Sequence, residues 1–298
     1  MTHPMVSTGN TLLRLTVFCF ALLVLAGCSS TKMAYRYADW GVVWWVEDYV
    51  TLTDTQKTRL YQDLDDFRTW HCATELPRYR RWLDNVAEDV QQKSLSAHTL
   101  ADHQQQLQDF FSPLVDRTIP IASRLLASLS DAQVRELSES MARRQQEMRD
   151  EYLSEDPAAT AEARAERSEE RLQRWFGDLN DDQQAIVKRW SEQRDGQTEI
   201  WLQGRRNWQL ALMEALEHRR EPGFSNRIAQ LLHNSERVRG EEYQAMMARS
   251  RAALNELIHD MVMASDPGQL AHLKNRTVAL KEDFQALTCP PGPEVANR

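Results

Sequence analysis

One short pattern recurs three times along the chain and indicates where helices begin. It reads Leu, a polar capping residue, an acid, any residue and Gln, and its copies span residues 52–56, 129–133 and 179–183. The polar residue can accept a hydrogen bond from the free amides of a first helical turn. The Gln three residues later can bond back to it and complete a capping box. Because the copies are unequally spaced, they predict separate, well-capped helices rather than a regular solenoid.

The composition of the chain favours helices throughout. Gly and Pro occur only 10 times each among 298 residues, while good helix formers such as Gln, Glu, Arg, Ala and Leu are abundant. We find no clear alternating run of β-branched residues, which is the usual signature of a strand. We therefore expect an all-α fold, built as an irregular bundle of long antiparallel helices.

Capping residues, prolines and apolar stripes give approximate boundaries for these helices. Pro77 is expected in the first turn of a helix, and Ser112-Pro113 is expected to mark a bend. The predicted helices cover residues 33–50, 54–71, 77–90, 96–111, 112–126, 130–152, 180–220, 224–264 and 266–288.

A charged segment separates two groups of predicted helices. Residues 154–170 combine many charges with Ala as their only aliphatic residue type. We interpret residues 154–179 as a charged hinge helix between an N-terminal helical half, 35–153, and a C-terminal helical half, 180–289. The tail, 290–298, is expected to be disordered.

No recognisable arrangement of catalytic residues occurs in the sequence. It contains no HExxH, CxxC, glycine-rich phosphate loop or G-x-S-x-G motif. The net charge of −8 argues against a general nucleic-acid binder, which would carry a basic field. We therefore predict no catalytic residue, no metal site, no small-molecule cofactor and no nucleic-acid partner.

The densest acidic group is the best candidate for an exception to this prediction. It comprises Asp63, Asp65, Asp66 and Glu75. Ion pairs with nearby arginines such as Arg78, Arg80 and Arg81 are the simpler interpretation, and metal binding is the alternative.

The N-terminus has the features of an export signal. Arg14 precedes an apolar run, 15–25, that is too short for a comfortable membrane span, and no acidic residue occurs before Cys28. Leu25-Ala26-Gly27-Cys28 resembles the lipobox of bacterial lipoproteins. The resemblance implies that residues 1–27 are a signal peptide, cleaved between Gly27 and Cys28. Cys28 would then carry a diacylglycerol and an N-acyl chain, and residues 28–34 would form a short lipidated tether.

The same resemblance implies a location in the cell. Several acyl chains hold a protein durably on a bilayer, so the membrane becomes a partner through the lipid anchor. Ser29 follows the lipidated residue, where retention in the inner membrane typically requires Asp. The resemblance thus implies the periplasmic face of the outer membrane of a Gram-negative cell, with display at the cell surface as the alternative.

The remaining cysteines form an even pair. Removal of the signal peptide removes Cys19, and lipid consumes Cys28, which leaves Cys72 and Cys289. In an oxidising compartment we predict a disulfide between them. Two free thiols are the alternative, and the neighbouring His71 raises the less favoured idea of an activated catalytic thiol at Cys72.

The segment that follows the tether is rich in aromatic residues. Residues 35–49 include Trp40, Trp44 and Trp45, and a helix here would be apolar on nearly all sides. Such a helix must be buried. We predict a central core helix, with a membrane-interface element as the alternative because Trp and Tyr favour that boundary.

Several phrases together resemble an uncharacterised family of Gram-negative lipoproteins. They are the aromatic segment, the Leu-Thr-x-x-Gln helix start at residues 52–56, Trp70-His71 and residues 74–79. The resemblance extends over about residues 28–288. The family has no assigned activity to carry over. We expect a protein that binds or scaffolds an envelope partner, which the sequence does not name.

Two other functions remain open. The Leu-Thr-x-x-Gln helix starts resemble those of small periplasmic helical chaperones, which makes a holdase-type chaperone the first alternative. An envelope enzyme acting on wall or lipid is the second.

Overall fold

The computed structural model describes residues 30–92, 94–153, 156–194 and 196–289. The predicted lipobox, the signal peptide and the tail 290–298 lie outside these residues. The described residues contain twelve helices and no strand, so the all-α prediction is confirmed. The helices are α1 (Ser30–Arg36), α2 (Ala38–Glu47), α3 (Asp54–Gln92), α4 (Ala97–Ala127), α5 (Asp131–Tyr152), α6 (Pro157–Phe176), α7 (Asp181–Glu192), α8 (Gln197–Glu217), α9 (Phe224–His233), α10 (Ser235–Arg239), α11 (Glu241–Met263) and α12 (Pro267–Leu287).

The three recurring helix starts are capping boxes, and a fourth one completes the set. Each conserves the same geometry: the Gln side chain accepts the backbone N–H of the capping residue, while its own backbone N–H bonds back to the cap. The fourth box opens α12 with Asp266 and Gln269. The sequence pattern missed it because no Leu precedes the cap, although the cap-to-Gln spacing is the same.

The four glutamines pair across the fold. The Gln133 side chain donates to Gln56 Oε1 at 2.8 Å, which joins the start of α5 to the start of α3. The Gln269 side chain donates to Gln183 Oε1 at 2.7 Å, which joins the start of α12 to the start of α7. The pattern therefore does more than cap single helices, because it ties helix starts that are distant in sequence.

Two predicted helix breaks at prolines were wrong. α3 is one helix of 39 residues with Pro77 inside it, and α4 continues through Pro113 and Pro120. An interior proline removes one backbone hydrogen bond. Packing outweighs this loss, since α3 buries Leu76 and Leu83 on either side of Pro77 and its second half lies against α12.

Three other predicted helices are interrupted. The expected helix over 33–50 divides at Tyr37 into α1 and α2. The expected helix over 180–220 divides before Gly196, whose φ of +70° only glycine adopts without strain. The expected helix over 224–264 divides at Asn234 and at Gly240.

Two hydrophobic clusters form the core. The first contains buried residues between 43 and 60, between 129 and 141 and between 212 and 231. The second contains buried residues between 90 and 100, between 165 and 187 and between 257 and 273. Each cluster therefore draws on both sides of the charged segment, and the clusters do not coincide with the two sequence halves.

The charged segment itself is part of the second cluster. Asp156 caps α6, and α6 packs against α7 and α12. Its residues Ala165 and Phe176 are buried in that cluster.

Candidate functional site

Helix α2 carries an exposed aromatic face, which is the most unusual surface feature of the described chain. The exposed fractions are 53% for Tyr37, 60% for Trp40, 57% for Trp44 and 58% for Trp45. The rings of Trp40 and Trp44 stack with centroids 6.4 Å apart. Isolated exposed apolar residues are normal, whereas a group of exposed aromatic residues is a candidate for an interaction surface. We call these four residues the α2 aromatic face.

The prediction of a central core helix for this segment was wrong. Only Val43 of α2 is buried, and it joins the first hydrophobic cluster together with the half-buried Val46 and Tyr49. α2 lies against α3 on that side. Because the described helices cover only one side of α2, the tryptophans on the other side stay exposed.

The acidic residues at the end of α2 have cationic partners. Glu47 pairs with Lys57 at 2.6 Å, and Asp48 pairs with Arg144 at 3.1 Å. Unpaired carboxylates beside an anionic lipid surface would be costly. These pairs reduce the net negative charge of the surface beside the α2 aromatic face.

Helix α1 is attached to the body through polar contacts of Tyr35 and an ion pair of Lys32. The Tyr35 hydroxyl lies 3.1 Å from His71 Nδ1, and Lys32 pairs with Asp283 at 3.3 Å. Burial raises the pKa of Tyr35 and lowers the pKa of His71. Both groups are therefore neutral near pH 7, and the Tyr35 hydroxyl also lies 3.4 Å from the Arg68 carbonyl, to which it can donate.

A disulfide joins Cys72 of α3 to Cys289, directly after α12. The sulfur atoms are 2.07 Å apart and the Cα atoms 5.1 Å apart. The backbone N–H of Cys289 also donates to the Cys72 carbonyl at 3.2 Å. With this sulfur in a disulfide there is no thiol for His71 to activate, and His71 contacts Tyr35 instead.

Three of the four acids in the group on α3, namely Asp63, Asp65 and Glu75, pair with arginines, and Asp66 has no such partner among the described contacts. Arg124 donates two hydrogen bonds to Asp63, at 2.8 and 3.1 Å, and Asp65 pairs with Arg68. Glu75 pairs with Arg78 at 2.6 Å.

Arg80 was also predicted to pair with an acid of this group, and it does not. Arg80 donates to Gln285 rather than to an acid. Among the described residues, no group of three or more His, Cys, Asp or Glu side chains is arranged to hold a metal ion.

No described helix combines the length and the apolar character needed to cross a membrane.

The comparisons with known proteins define a family without an activity. No match was found among curated proteins or among solved structures. The family model of DUF6279, a family of unknown function, matches residues 48–244, which is well over half of the chain. The match begins directly after α2, so it contains neither the α2 aromatic face nor Cys289. On this match, the chain belongs to DUF6279, a family of unknown function.

Proposed function

We propose that this protein is a lipid-anchored binding or scaffolding protein of the Gram-negative envelope, held at the periplasmic face of the outer membrane. Cys28 is the lipidated residue, and the α2 aromatic face rests in the headgroup region of the same bilayer. The observation that carries the proposal is the exposure of Trp40, Trp44 and Trp45 so soon after Cys28 in the chain. Tryptophan favours the boundary between water and lipid because its ring is apolar and its N–H is polar.

Four contacts of the segment around α1 and α2 support a membrane-facing orientation. The Glu47–Lys57 and Asp48–Arg144 pairs reduce the acidity of the surface beside the tryptophans. The Tyr35–His71 contact and the Lys32–Asp283 pair fix α1 to the body. A short tether that leads into a fixed helix would keep the body close to the bilayer.

The anchor is tested by metabolic labelling with palmitate. We expect Cys28→Ala to abolish the label and release the protein from the membrane fraction. Cys19→Ala is the matched control, since it removes a cysteine from the apolar run and should retain the label. Equal labelling of the Cys28→Ala variant and the unaltered protein would exclude this anchor.

The orientation is tested by tryptophan quenching in vesicles. The full-length protein is reconstituted into vesicles that contain brominated phospholipids, which quench tryptophan only at contact range. We expect strong quenching that is largely lost when Trp40, Trp44 and Trp45 are together replaced by Phe. Trp201→Phe, on α8, is the control and should leave the amount of tryptophan emission lost to quenching unchanged. The proposed orientation fails if the triple variant is quenched as strongly as the unaltered protein.

The scaffolding role is tested by crosslinking in intact envelopes followed by mass spectrometry. A scaffold should capture the same envelope protein in repeated experiments, and its loss in the Cys28→Ala variant would tie the capture to the anchor. If repeated experiments capture no reproducible partner, the scaffolding role is wrong.

The chaperone alternative has a separate test. The glutamines of the recurring helix starts hydrogen-bond to one another, so capping and helix pairing account for the pattern without a client protein. Suppression of the aggregation of an unfolded client by the purified protein would favour this alternative.

A further inference from the structure

An apolar cavity lies inside the second hydrophobic cluster and has no part in the function proposed above. Its volume is about 380 Å³, and five helices, α3, α4, α6, α11 and α12, contribute to its wall. The wall is mainly aliphatic, with Val86, Leu172, Ile258 and Leu280 among its residues. Sites for small molecules in proteins commonly span about 300–1,000 Å³ and are mostly apolar.

The cavity has a rim of exposed apolar side chains. Leu107, Trp175 and Leu254 line it and are exposed by 40%, 38% and 44%. They come from α4, α6 and α11, so three separate helices contribute large apolar residues to the same opening. This arrangement gives an apolar ligand a path from the surface to the interior.

Two polar groups of the wall lack partners. His103, only 8% exposed, bonds through Nε2 to Asp89 at 2.9 Å, and its Nδ1 has no hydrogen-bond partner. The buried Nε1–H of Trp82 also has none. The two rings meet edge to face with centroids 6.1 Å apart. Buried polar atoms are nearly always satisfied, and leaving one unsatisfied is costly.

We propose that this cavity binds a long-chain fatty acid. The alkyl chain would occupy the aliphatic interior, where it displaces water from apolar surface. The carboxyl oxygen would accept a hydrogen bond from the Trp82 Nε1–H, and the carboxyl O–H would donate to His103 Nδ1, so that both orphaned atoms gain a partner. A plain alkane satisfies neither atom.

The binding test uses a fatty acid that carries a photoactivatable diazirine on its chain. The full-length protein is incubated with this probe and illuminated, and the labelled peptides are identified by mass spectrometry. We expect the label on the peptides of α4, α6, α11 and α12 that surround the cavity, and we expect unlabelled palmitate to compete for it. Label concentrated on the α2 aromatic face instead would overturn the proposal. The membrane orientation of α2 is tested separately by tryptophan quenching, so the failure of one proposal can be told apart from the failure of the other.

Two variants with matched controls test the two parts of the site. Ile258→Trp fills the cavity, and Leu210→Trp makes a comparable change at an exposed leucine of α8 outside it. We expect Ile258→Trp to reduce the labelling roughly tenfold or more, and Leu210→Trp to leave it unchanged. A thermal unfolding curve establishes that each variant is folded, and Leu254→Trp, at the exposed rim, replaces Ile258→Trp if the latter is not.

The head group is tested by removing one donor. Trp82→Phe removes the N–H and keeps an aromatic ring, and it should weaken competition by palmitate about fivefold to tenfold, as expected for one lost hydrogen bond. Trp208→Phe is the control, because its Nε1 is also buried without a partner but lies in the first cluster. The proposal is overturned if palmitate competes equally with both variants, or if cavity filling leaves the labelling unchanged.

Discussion

Gln183 shows how much a single buried polar residue can carry in this fold. Its side chain is completely buried, yet all of its hydrogen-bonding capacity is used. It accepts from the Asn180 backbone and from Gln269, and it donates to the Met261 carbonyl and to Ser265. A buried network of this kind stabilises only when every member is satisfied. The residue therefore links the start of α7 to the end of α11 and to the start of α12.

Truncation of this side chain should be strongly destabilising. Gln183→Ala removes four side-chain hydrogen bonds and strands several buried partners, so we expect a loss of roughly 2–4 kcal/mol in the free energy of unfolding. Gln105→Ala is the matched control, because Gln105 is exposed and bonds only to Asp109 on its own helix. Its effect should stay within about 0.5 kcal/mol. Denaturant unfolding measures the free energy of unfolding of both variants. Equal losses would show that the hydrogen-bond network of Gln183 does not stabilise the fold.

His71 gives the fold a dependence on pH. Burial lowers its pKa in the folded state, so the unfolded chain takes up the proton first as the pH falls below about 6.5. The fold should therefore lose stability between about pH 7 and pH 5, and the stability should return as the pH rises. His71→Gln is expected to reduce this loss. His98→Gln, at an exposed position, should leave the pH profile of the unfolding midpoint unchanged.

At the scale of the element, prolines and glycines have effects that depend on their neighbours. Pro77, Pro113 and Pro120 all sit inside helices, because the burial gained by continuing α3 and α4 exceeds the cost of one missing hydrogen bond at each site. Gly196 does interrupt a helix, because its backbone takes a positive φ. A proline or glycine favours the end of a helix locally, but the packing of the flanking residues determines whether the helix actually ends there.

Gly204 and Gly41 illustrate opposite consequences of adding one methyl group. A Cβ at Gly204 would lie 2.5 Å from Cδ2 of Tyr243, where α8 approaches the start of α11. We expect Gly204→Ala to cost about 1–3 kcal/mol, because the aromatic ring must shift. Gly41 has open space at the same position, so Gly41→Ala should stabilise α2 by about 0.5–1 kcal/mol. Thermal unfolding of the two variants checks the sign, and destabilisation of equal size at both positions would contradict the packing argument.

At the scale of the whole molecule, contacts that are distant in sequence close the fold. Helix α12 packs along α3, and the Cys72–Cys289 disulfide fastens its end. Arg219, which is buried, donates to the Leu129 carbonyl at 2.9 Å and bonds to the Asp131 carboxylate. Its hydrogen bond is the main cause of the lowered pKa of Asp131. The two sequence halves are thus interlocked rather than placed side by side.

The disulfide closes a loop with a sequence separation of 217 residues. Cys289→Ser should lower the free energy of unfolding by about 5 kcal/mol at most, because the unfolded chain regains the entropy that the crosslink removes. Intact mass provides the direct check, since reduction should add two protons to the unaltered protein and none to the double variant Cys72→Ser, Cys289→Ser. A reductant that lowers the unfolding midpoint of the double variant as much as that of the unaltered protein would contradict this assignment.

The sequence by itself determined the all-α class, the capped starts of α3, α5 and α7, and the cysteine pair that could join. These features depend on residues within one helical turn or on simple counting, so no tertiary information is needed to find them. It also predicted that the acids of α3 would meet arginines, but it named only one of the partners correctly, Arg78.

Only the tertiary structure decided which surfaces are covered. The apolar character of α2 is evident in the sequence, but whether other helices cover its tryptophans depends on segments far along the chain. The same holds for the pairing of Gln56 with Gln133, for the prolines inside α3 and α4, and for the cavity between five helices. The physical reason is that capping and propensity are local, whereas burial is a property of the packed molecule.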